Sequence, residues 1–250
     1  MKKYRPYLQI LYYVIGVLIF FWVWFVFAKI YNKELILPNP IEVIKSLFDL
    51  FTESEFYSAL VGTLLRTVAS FFVALLLAII LAILGSIFKP VNSVLSPIIS
   101  VLRVTPTMSV ILLIIVFVSS SVGPTIIGFL IAFPLLYQSV YFGINGIDNR
   151  VLEFAKVYNL KKSTIVKSIY FPYALPELLS SVKTTFPLNL KVVIAAEVIA
   201  QTRKSMGLMM QMSKIYLEID YLFAYTLVAI IIGIAFELIV GYFEKKVRVK

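Results

Sequence analysis

Six apolar stretches divide the chain. They run over about Ile10–Ile30, Leu60–Phe88, Ser93–Val118, Thr125–Gly143, Val182–Ala200 and Leu222–Phe243. A helix needs roughly 20 apolar residues to cross a bilayer. The pattern therefore predicts an all-α integral membrane protein of about six transmembrane helices. The third stretch is interrupted at Pro106, and its first turns are expected at the cytoplasmic interface. The fifth carries Lys191 and Glu197, so hydropathy alone underrates it.

Two connections are long. Between Tyr31 and Ala59, Leu37-Pro38-Asn39-Pro40 breaks the helix, because each proline pushes its predecessor out of the α region. Ile41, Val43, Ile44, Leu47, Phe48 and Phe51 then recur at helical spacing, with Glu42, Lys45 and Asp49 between them. That pattern predicts an amphipathic helix on the outer membrane surface. The second connection, Glu153–Pro172, is polar and basic.

Charge orients the spans. With the N-terminus inside, the cytoplasmic side collects Lys2, Lys3, Arg5, Lys89, Arg103, Arg150, Lys156, Lys161, Lys162, Lys167 and the Lys245–Lys250 tail. The opposite side holds Lys29, Lys33, Lys45, Arg203, Lys204 and Lys214, together with acids such as Glu34, Glu42, Asp49, Glu218 and Asp220. Basic residues concentrate on cytoplasmic loops, and an even number of spans returns both termini to the cytoplasm.

Composition narrows the class. Of 250 residues, 61% are hydrophobic and 14% charged. Soluble domains carry about 25% charged residues. The length leaves no room for a separate soluble domain, and residues 1–250 read as a single transmembrane domain. Cys and His are absent, which excludes disulfides, thiol nucleophiles, catalytic histidines and the usual zinc sites. The net charge of +10 is a topology signal, not a nucleic-acid signal. Met1-Lys2-Lys3-Tyr4-Arg5 before an apolar run has the look of a signal peptide. The run to Ala28 is too long and aromatic for one and has no small-residue cleavage site, so it is expected to be a retained first helix. No glycine is followed by lysine, so no G-x-x-x-x-G-K-[ST] nucleotide loop is present.

Within Glu153–Pro172, the chain reads EFAKVYNLKKSTIVKSIYFP. Glu153 to Tyr158 is expected to form a short helix that Asn159, which tolerates the left-handed region, brings to an end. Lys161–Ser168 is expected to start a second helix that stops before Pro172. Glu153, Ala155, Asn159, Ile169 and Pro172 fall at the spacings of the loop by which ABC-transporter permeases seat on their ATPase. That loop reads Glu-Ala-Ala, three residues, Gly, nine residues, Ile-x-Leu-Pro. Phe154 replaces the second-position Ala, Asn159 the Gly and Phe171 the Leu.

The resemblance reaches further. Leu37-Pro38-Asn39-Pro40 is similar to the Leu-Pro-x-Pro of permeases of the nitrate, sulfonate, taurine and bicarbonate subfamily. Thr63, Arg66 and Ser70 resemble their Thr-x-x-Arg-x-x-x-Gly, with Ser for Gly. Arg103 and Pro106 match an Arg-x-x-Pro; Ala196-Glu197 and Ser205-x-Gly207-Leu208 match the end of the fifth span and the loop after it. Where the family shows an aromatic-Phe-Gly-x-Gly, this chain has Phe117-Val118-Ser119-Ser120-Ser121-Val122-Gly123.

The resemblance implies a type I ABC importer-like permease fold, with its core over about residues 58–243 and a cytoplasmic coupling loop over 150–172. It implies that Glu153, Phe154, Ala155, Tyr158, Asn159, Leu160, Ile169 and Pro172 meet the partner. The chain would sit in the bacterial cytoplasmic membrane as a pair with a second copy. It would work with two ABC ATPase subunits and an extracytoplasmic solute-binding protein. It would catalyse no reaction and hold no cofactor, ATP and magnesium being bound by the ATPase. The substrate stays open between a small anion, such as a sulfonate, nitrate or bicarbonate, and a vitamin or pyrimidine precursor.

Intramembrane charge marks function by default, since it costs about 2.5–3.5 kcal/mol at a helix centre. Arg66, Lys183 and Glu237 lie near span ends and can snorkel. Lys191 lies near mid-span. At about 100° per residue it does not share a face with Glu197, so each needs a partner on another helix or a watery cavity. Lys191, Asn189, Glu197, Gln138, Thr105 and Thr107 are candidates for lining a translocation path, although such polar groups also bond neighbouring helices. Prolines 97, 106, 134, 176 and 187 interrupt apolar helices, which suits a transporter but is common in membrane helices. Two other classes remain: a secondary transporter or channel that uses Lys191 and Glu197 for ion coupling, and a membrane substrate-capture module of an energy-coupling-factor vitamin importer. Neither accounts for the Glu153–Pro172 loop.

The orientation has a direct test, because a chain without cysteine accepts single reporters. A cysteine at Ser54 is expected to react with an impermeant thiol reagent on intact cells, and one at Ser163 is not. The reverse labelling would overturn the topology.

Overall fold

The computed structural model describes residues 6–31 and 36–248. Lys2, Lys3, Arg5, Lys33, Glu34 and Lys250, which enter the orientation argument, lie outside them. Among the described residues every regular element is helical. The order is α1 (Pro6–Tyr31), α2 (Pro40–Leu50), α3 (Ser54–Ile87), α4 (Lys89–Val104), α5 (Thr107–Phe117), α6 (Gly123–Asn145), α7 (Asn149–Val157), α8 (Lys162–Ile165), a π-helical turn (Val166–Tyr170), α9 (Phe171–Ala200), α10 (Met206–Ile215) and α11 (Ile219–Arg248).

Two compact units are distinguished, one from residues 1–57 and 209–228, the other from 58–208 and 229–250. In the first, α2 begins where expected. Asn39 caps it by accepting from the Ile41 N–H at 3.1 Å, and Pro40 opens it, where a missing N–H costs nothing. Its buried face is Val43, Ser46 and Leu50, while Ile41, Ile44 and Phe48, which the spacing groups with Val43, are exposed. Trp24 stacks on Phe223 at 5.4 Å, Phe56 lies 6.0 Å from Tyr225, and Ser46 donates to Asp220.

The second unit is built around α3, α6 and α9. Ala74, Ala78 and Ala82 recur every fourth residue on α3, and all are buried. Small residues in one stripe let membrane helices approach closely. Opposite them lie Ala132, Phe133, Leu136, Tyr137, Val140 and Ile144 of α6. A Cβ at Gly143 would meet the Ala174 Cα at 3.1 Å, so α6 and α9 are in near backbone contact there. Phe186 of α9 stacks on Phe236 of α11 at 3.8 Å, with Phe71 edge-on to both rings.

Three described helices are long and apolar enough to cross a membrane: α3, α6 and α11. The expected third span is not one helix. Helices α4 and α5 meet at 100°. The cause is Pro106: Thr105 is extended, with ψ 127°, as a residue before proline prefers, and α4 ends there. Helix α5 has 11 residues, which at about 1.5 Å each falls well short of a bilayer core. The expected fifth span also begins earlier. Helix α9 starts at Phe171 rather than Val182, and its Lys183, Lys191 and Glu197 lower its hydropathy.

The expected stop before Pro172 is absent as well. Helix α8 passes through the π turn straight into α9. The turn ends with the Phe171 N–H bonded to the Val166 carbonyl, five residues back. The next residue, Pro172, has no N–H to place. The shift in hydrogen-bond register thus falls where the ladder must skip a donor anyway.

Replacing Ala78 by Leu is expected to wedge α3 away from its neighbours, at a cost of about 1–3 kcal/mol. Thermal unfolding of the purified protein in detergent reads this as a lower midpoint. An unchanged midpoint would contradict the packing of the alanine stripe.

Candidate functional site

Two places gather the residues that sequence reasoning singled out. The first is a buried polar cluster where α3, α9 and two turns converge. Glu197, near the C-terminus of α9, has no exposed surface. Its Oε1 accepts from Arg66 Nη1 at 2.9 Å, and its Oε2 accepts from the Thr63 hydroxyl at 2.8 Å and the Gly207 N–H at 3.3 Å. Thr63 and Arg66 are three residues apart on α3 and so share a face. The Thr63 oxygen in turn accepts from the Met206 N–H at 2.9 Å, so it acts as donor and acceptor at once.

Arg66 carries the cluster outward. Its Nη2 donates to the Arg203 carbonyl at 3.1 Å, its Nη1 also reaches the Lys204 carbonyl at 3.3 Å, and its Nε reaches the Ser121 carbonyl at 3.4 Å. Glycines make room. A Cβ on Gly62 would collide with the Lys204 carbonyl oxygen, and one on Gly207 would lie 2.5 Å from the Glu197 Cβ. One turn down α3, Asn189 donates to the Thr67 carbonyl at 3.2 Å and to Ser70 Oγ at 2.9 Å. Gly128 of α6 closes this layer, since a Cβ there would sit 2.7 Å from both Asn189 Oδ1 and Ser70 Oγ.

The second place is α7 and the segment after it. Asp148 starts α7, its carboxylate accepting from the Arg150 N–H at 2.9 Å. Ala155 is buried, while Val151 and Leu152 pack against the main core together with Ile169 and Tyr170. Asn159 closes the helix with φ 49°, and the Leu160 N–H reaches back to the Ala155 carbonyl at 3.0 Å. That is the six-to-one bond of a Schellman ending, which needs a residue that accepts the left-handed region. The other face of α7 is bare. Phe154 is 62% exposed and Val157 78% exposed, with Tyr158 and Leu160 also exposed. The Phe154 and Tyr158 rings, one turn apart, lie 4.4 Å from each other. Glu153 is exposed beside them, and Pro172 is exposed at the start of α9.

The remaining candidates are dispersed. Lys191 is exposed on α9, while Asn189 two residues earlier is buried in the polar layer. Gln138 is half-buried on α6. Thr105 and Thr107 flank the α4–α5 corner, the first half-buried with its hydroxyl bonded to the Val101 carbonyl, the second exposed. Sequence reasoning did not pair Arg66 with Glu197. The signal lies in Thr63 and Arg66 of one pattern and Glu197 and Gly207 of the other, which the fold makes one cluster.

Residues 74–249 match the family of binding-protein-dependent transport system inner membrane components. The chain belongs to that family. The permease is 26% identical over 230 residues to the taurine transport system permease protein of Escherichia coli K12, covering 90% of this chain and 83% of that one. A probable ABC transporter permease of Brucella melitensis is 24% identical over 200 residues, covering 80% of this chain and 81% of the relative. Among solved structures, the crystal structure of an amino acid ABC transporter with histidines superposes with a TM-score of 0.66 at 18% identity. It covers 78% of the permease and 95% of that chain. The permease is thus the membrane component of an ABC importer, and ATP hydrolysis belongs to a separate subunit. The family implies an ATPase and a substrate-binding protein as its partners.

Removing one member of a buried ion pair typically costs about 3–5 kcal/mol. Glu197→Leu alone is therefore expected to lower the thermal midpoint of the purified permease strongly. Combining it with Arg66→Met is expected to cost less than the two single changes together. Strict additivity in this double-mutant cycle would mean that the pair is not coupled.

Proposed function

We propose that the permease works as a homodimer whose two α7–α8 segments seat two ATPase subunits at the cytoplasmic face. An external solute-binding protein delivers a small solute to the opposite face. Both termini lie in the cytoplasm, and ATP and magnesium are held by the ATPase. Closure of the ATPases pulls on the paired segments and favours the outward-facing bundle; hydrolysis resets it. The single observation that carries this reading is the bare apolar face of α7. Phe154 and Val157 project from this short helix, and Tyr158 and Leu160 from the turn that ends it, all of them exposed in a basic segment between spans. An exposed aromatic pair of this kind marks a contact surface.

The link from this surface to the spans is short. From Lys162 the backbone runs unbroken through the π turn into α9, so a push on α7 and α8 acts on the lower end of α9. Lys191 lies exposed on that same helix and is our candidate to meet an anionic solute. The taurine permease named above makes a small sulfonate the first cargo to test, by ligand screening of the associated binding protein.

Two changes test the coupling role. Glu153→Arg reverses the charge beside the aromatic pair. Asn159→Val forces a β-branched residue into the left-handed region, which it avoids. Both variants are expected to reach the membrane at normal levels and to lose substrate-stimulated ATP hydrolysis and uptake. Normal stimulated hydrolysis in both would show that this segment does not couple.

A further inference from the structure

The turn between α9 and α10 is held more firmly than a surface connection requires. Gln201 has φ 48° and Lys204 φ 51°, both left-handed without being glycine. Such residues persist only where the surroundings over-determine them, and they concentrate at functional sites. Here the surroundings do so. Arg66 clamps the Arg203 and Lys204 carbonyls. The Thr202 hydroxyl donates to the Ser120 carbonyl at 2.7 Å and so ties this turn to the one between α5 and α6. The Ser205 hydroxyl donates to the Thr202 carbonyl at 2.7 Å and accepts from the Leu208 N–H at 3.0 Å. Thr202 and Ser205 have no exposed surface.

The side chains between these bonds go the other way. Gln201, Arg203 and Lys204 are exposed, and so are Ser119, Ser120 and Ser121 of the turn latched to them. Neither Arg203 nor Lys204 has an ion-pair partner among the described residues. The two turns thus form one cross-bonded knuckle with a rim of hydroxyls and two cations that have no ion-pair partner among the described residues.

We propose that this knuckle is the permease's receiving surface for an acidic patch on the solute-binding protein, and that Arg66 and Thr202 are its positioning residues. The inference rests on the importer reading above and names the contact chemistry of its external partner. Fixed cations favour a partner that brings fixed carboxylates, because preorganisation removes the ordering cost of binding. Hydroxyls on the rim suit the polar border of a protein contact. Charge complementarity of this kind acts mainly on encounter and specificity.

The test uses the transporter with its ATPase in vesicles of neutral phosphatidylcholine, with the binding protein that supports wild-type uptake. Arg203→Glu combined with Lys204→Glu is expected to raise the half-saturating concentration of binding protein about tenfold or more. Maximal uptake at saturating binding protein is expected to be kept. Thr202→Val, which changes no exposed group, is expected to raise the same concentration more modestly, and Thr202→Ser to restore it. An unchanged half-saturating concentration in the charge-reversed transporter overturns the proposal. So does a fall in maximal uptake alone, which would make the turn structural only. A defect that appears only when anionic lipid is added also overturns it, by assigning the cations to headgroups. If the wild-type transporter takes up solute with no binding protein at all, the importer reading fails and this inference with it. A binding-protein-dependent wild type beside an unaffected charge-reversed variant sinks only the inference.

Discussion

Glu197 is a carboxylate with no exposed surface inside an apolar bundle. Burying such a charge is expensive unless it is paired and its remaining lone pairs are satisfied. Everything around it meets that demand. Arg66 and Thr63 reach it from α3, Gly207 from the start of α10, and two glycines clear the space for the approach. The arginine then has donors to spare, and these fix the backbone of two turns. One buried charge thus orders three regions that are far apart in sequence, around residues 63–66, 121 and 197–207. Apolar packing alone, which in a bilayer has no solvent to drive it, gives less register.

That arrangement divides the main unit into parts with different mechanical character. Around Glu197 and Asn189, α3 and α9 are cross-linked by specific hydrogen bonds, and Gly128 of α6 packs against them. At the other end of α9 the Ser139 hydroxyl of α6 donates to the Glu177 carbonyl at 2.8 Å, and Lys183 pairs with Glu244 at 3.6 Å. A π turn, a proline without a donor and a small apolar cavity lined by Ile79, Val140, Tyr170 and Leu178 lie together. A π turn often marks a functional position. The Glu197 end suits the presentation of a fixed surface, and the π-turn end suits the transmission of movement from α7 and α8. The bare apolar face of α7 lies at the π-turn end of this path.

Much of this was legible in the residues. Six apolar stretches, the Asn39–Pro40 start of α2, the left-handed Asn159 and the short helix before it follow from local rules of periodicity, capping and turn chemistry. What local rules missed was non-local or subtle. The break at Pro106 is legible, but its 100° angle is not, because hydropathy carries no direction. Pro172 reads as a helix stop, yet the π turn moves the hydrogen-bond register so that the chain runs on. Arg66 reads as a residue free to snorkel, because its partner is 131 positions away. Polar residues on separate membrane helices give no periodic signal that tells which will meet.

The central claim is that the α7 surface seats an ATPase subunit. The most direct measurement is site-specific photo-crosslinking in membranes that carry the active transporter. A photoreactive side chain at Val157 is expected to yield an adduct with an ATP-binding subunit, identified by mass spectrometry. The same group at Phe117, equally bare at 83% exposure on α5, is expected to yield none. Absence of the ATPase adduct at Val157 in a transporting membrane, or equal capture at Phe117, would contradict the account.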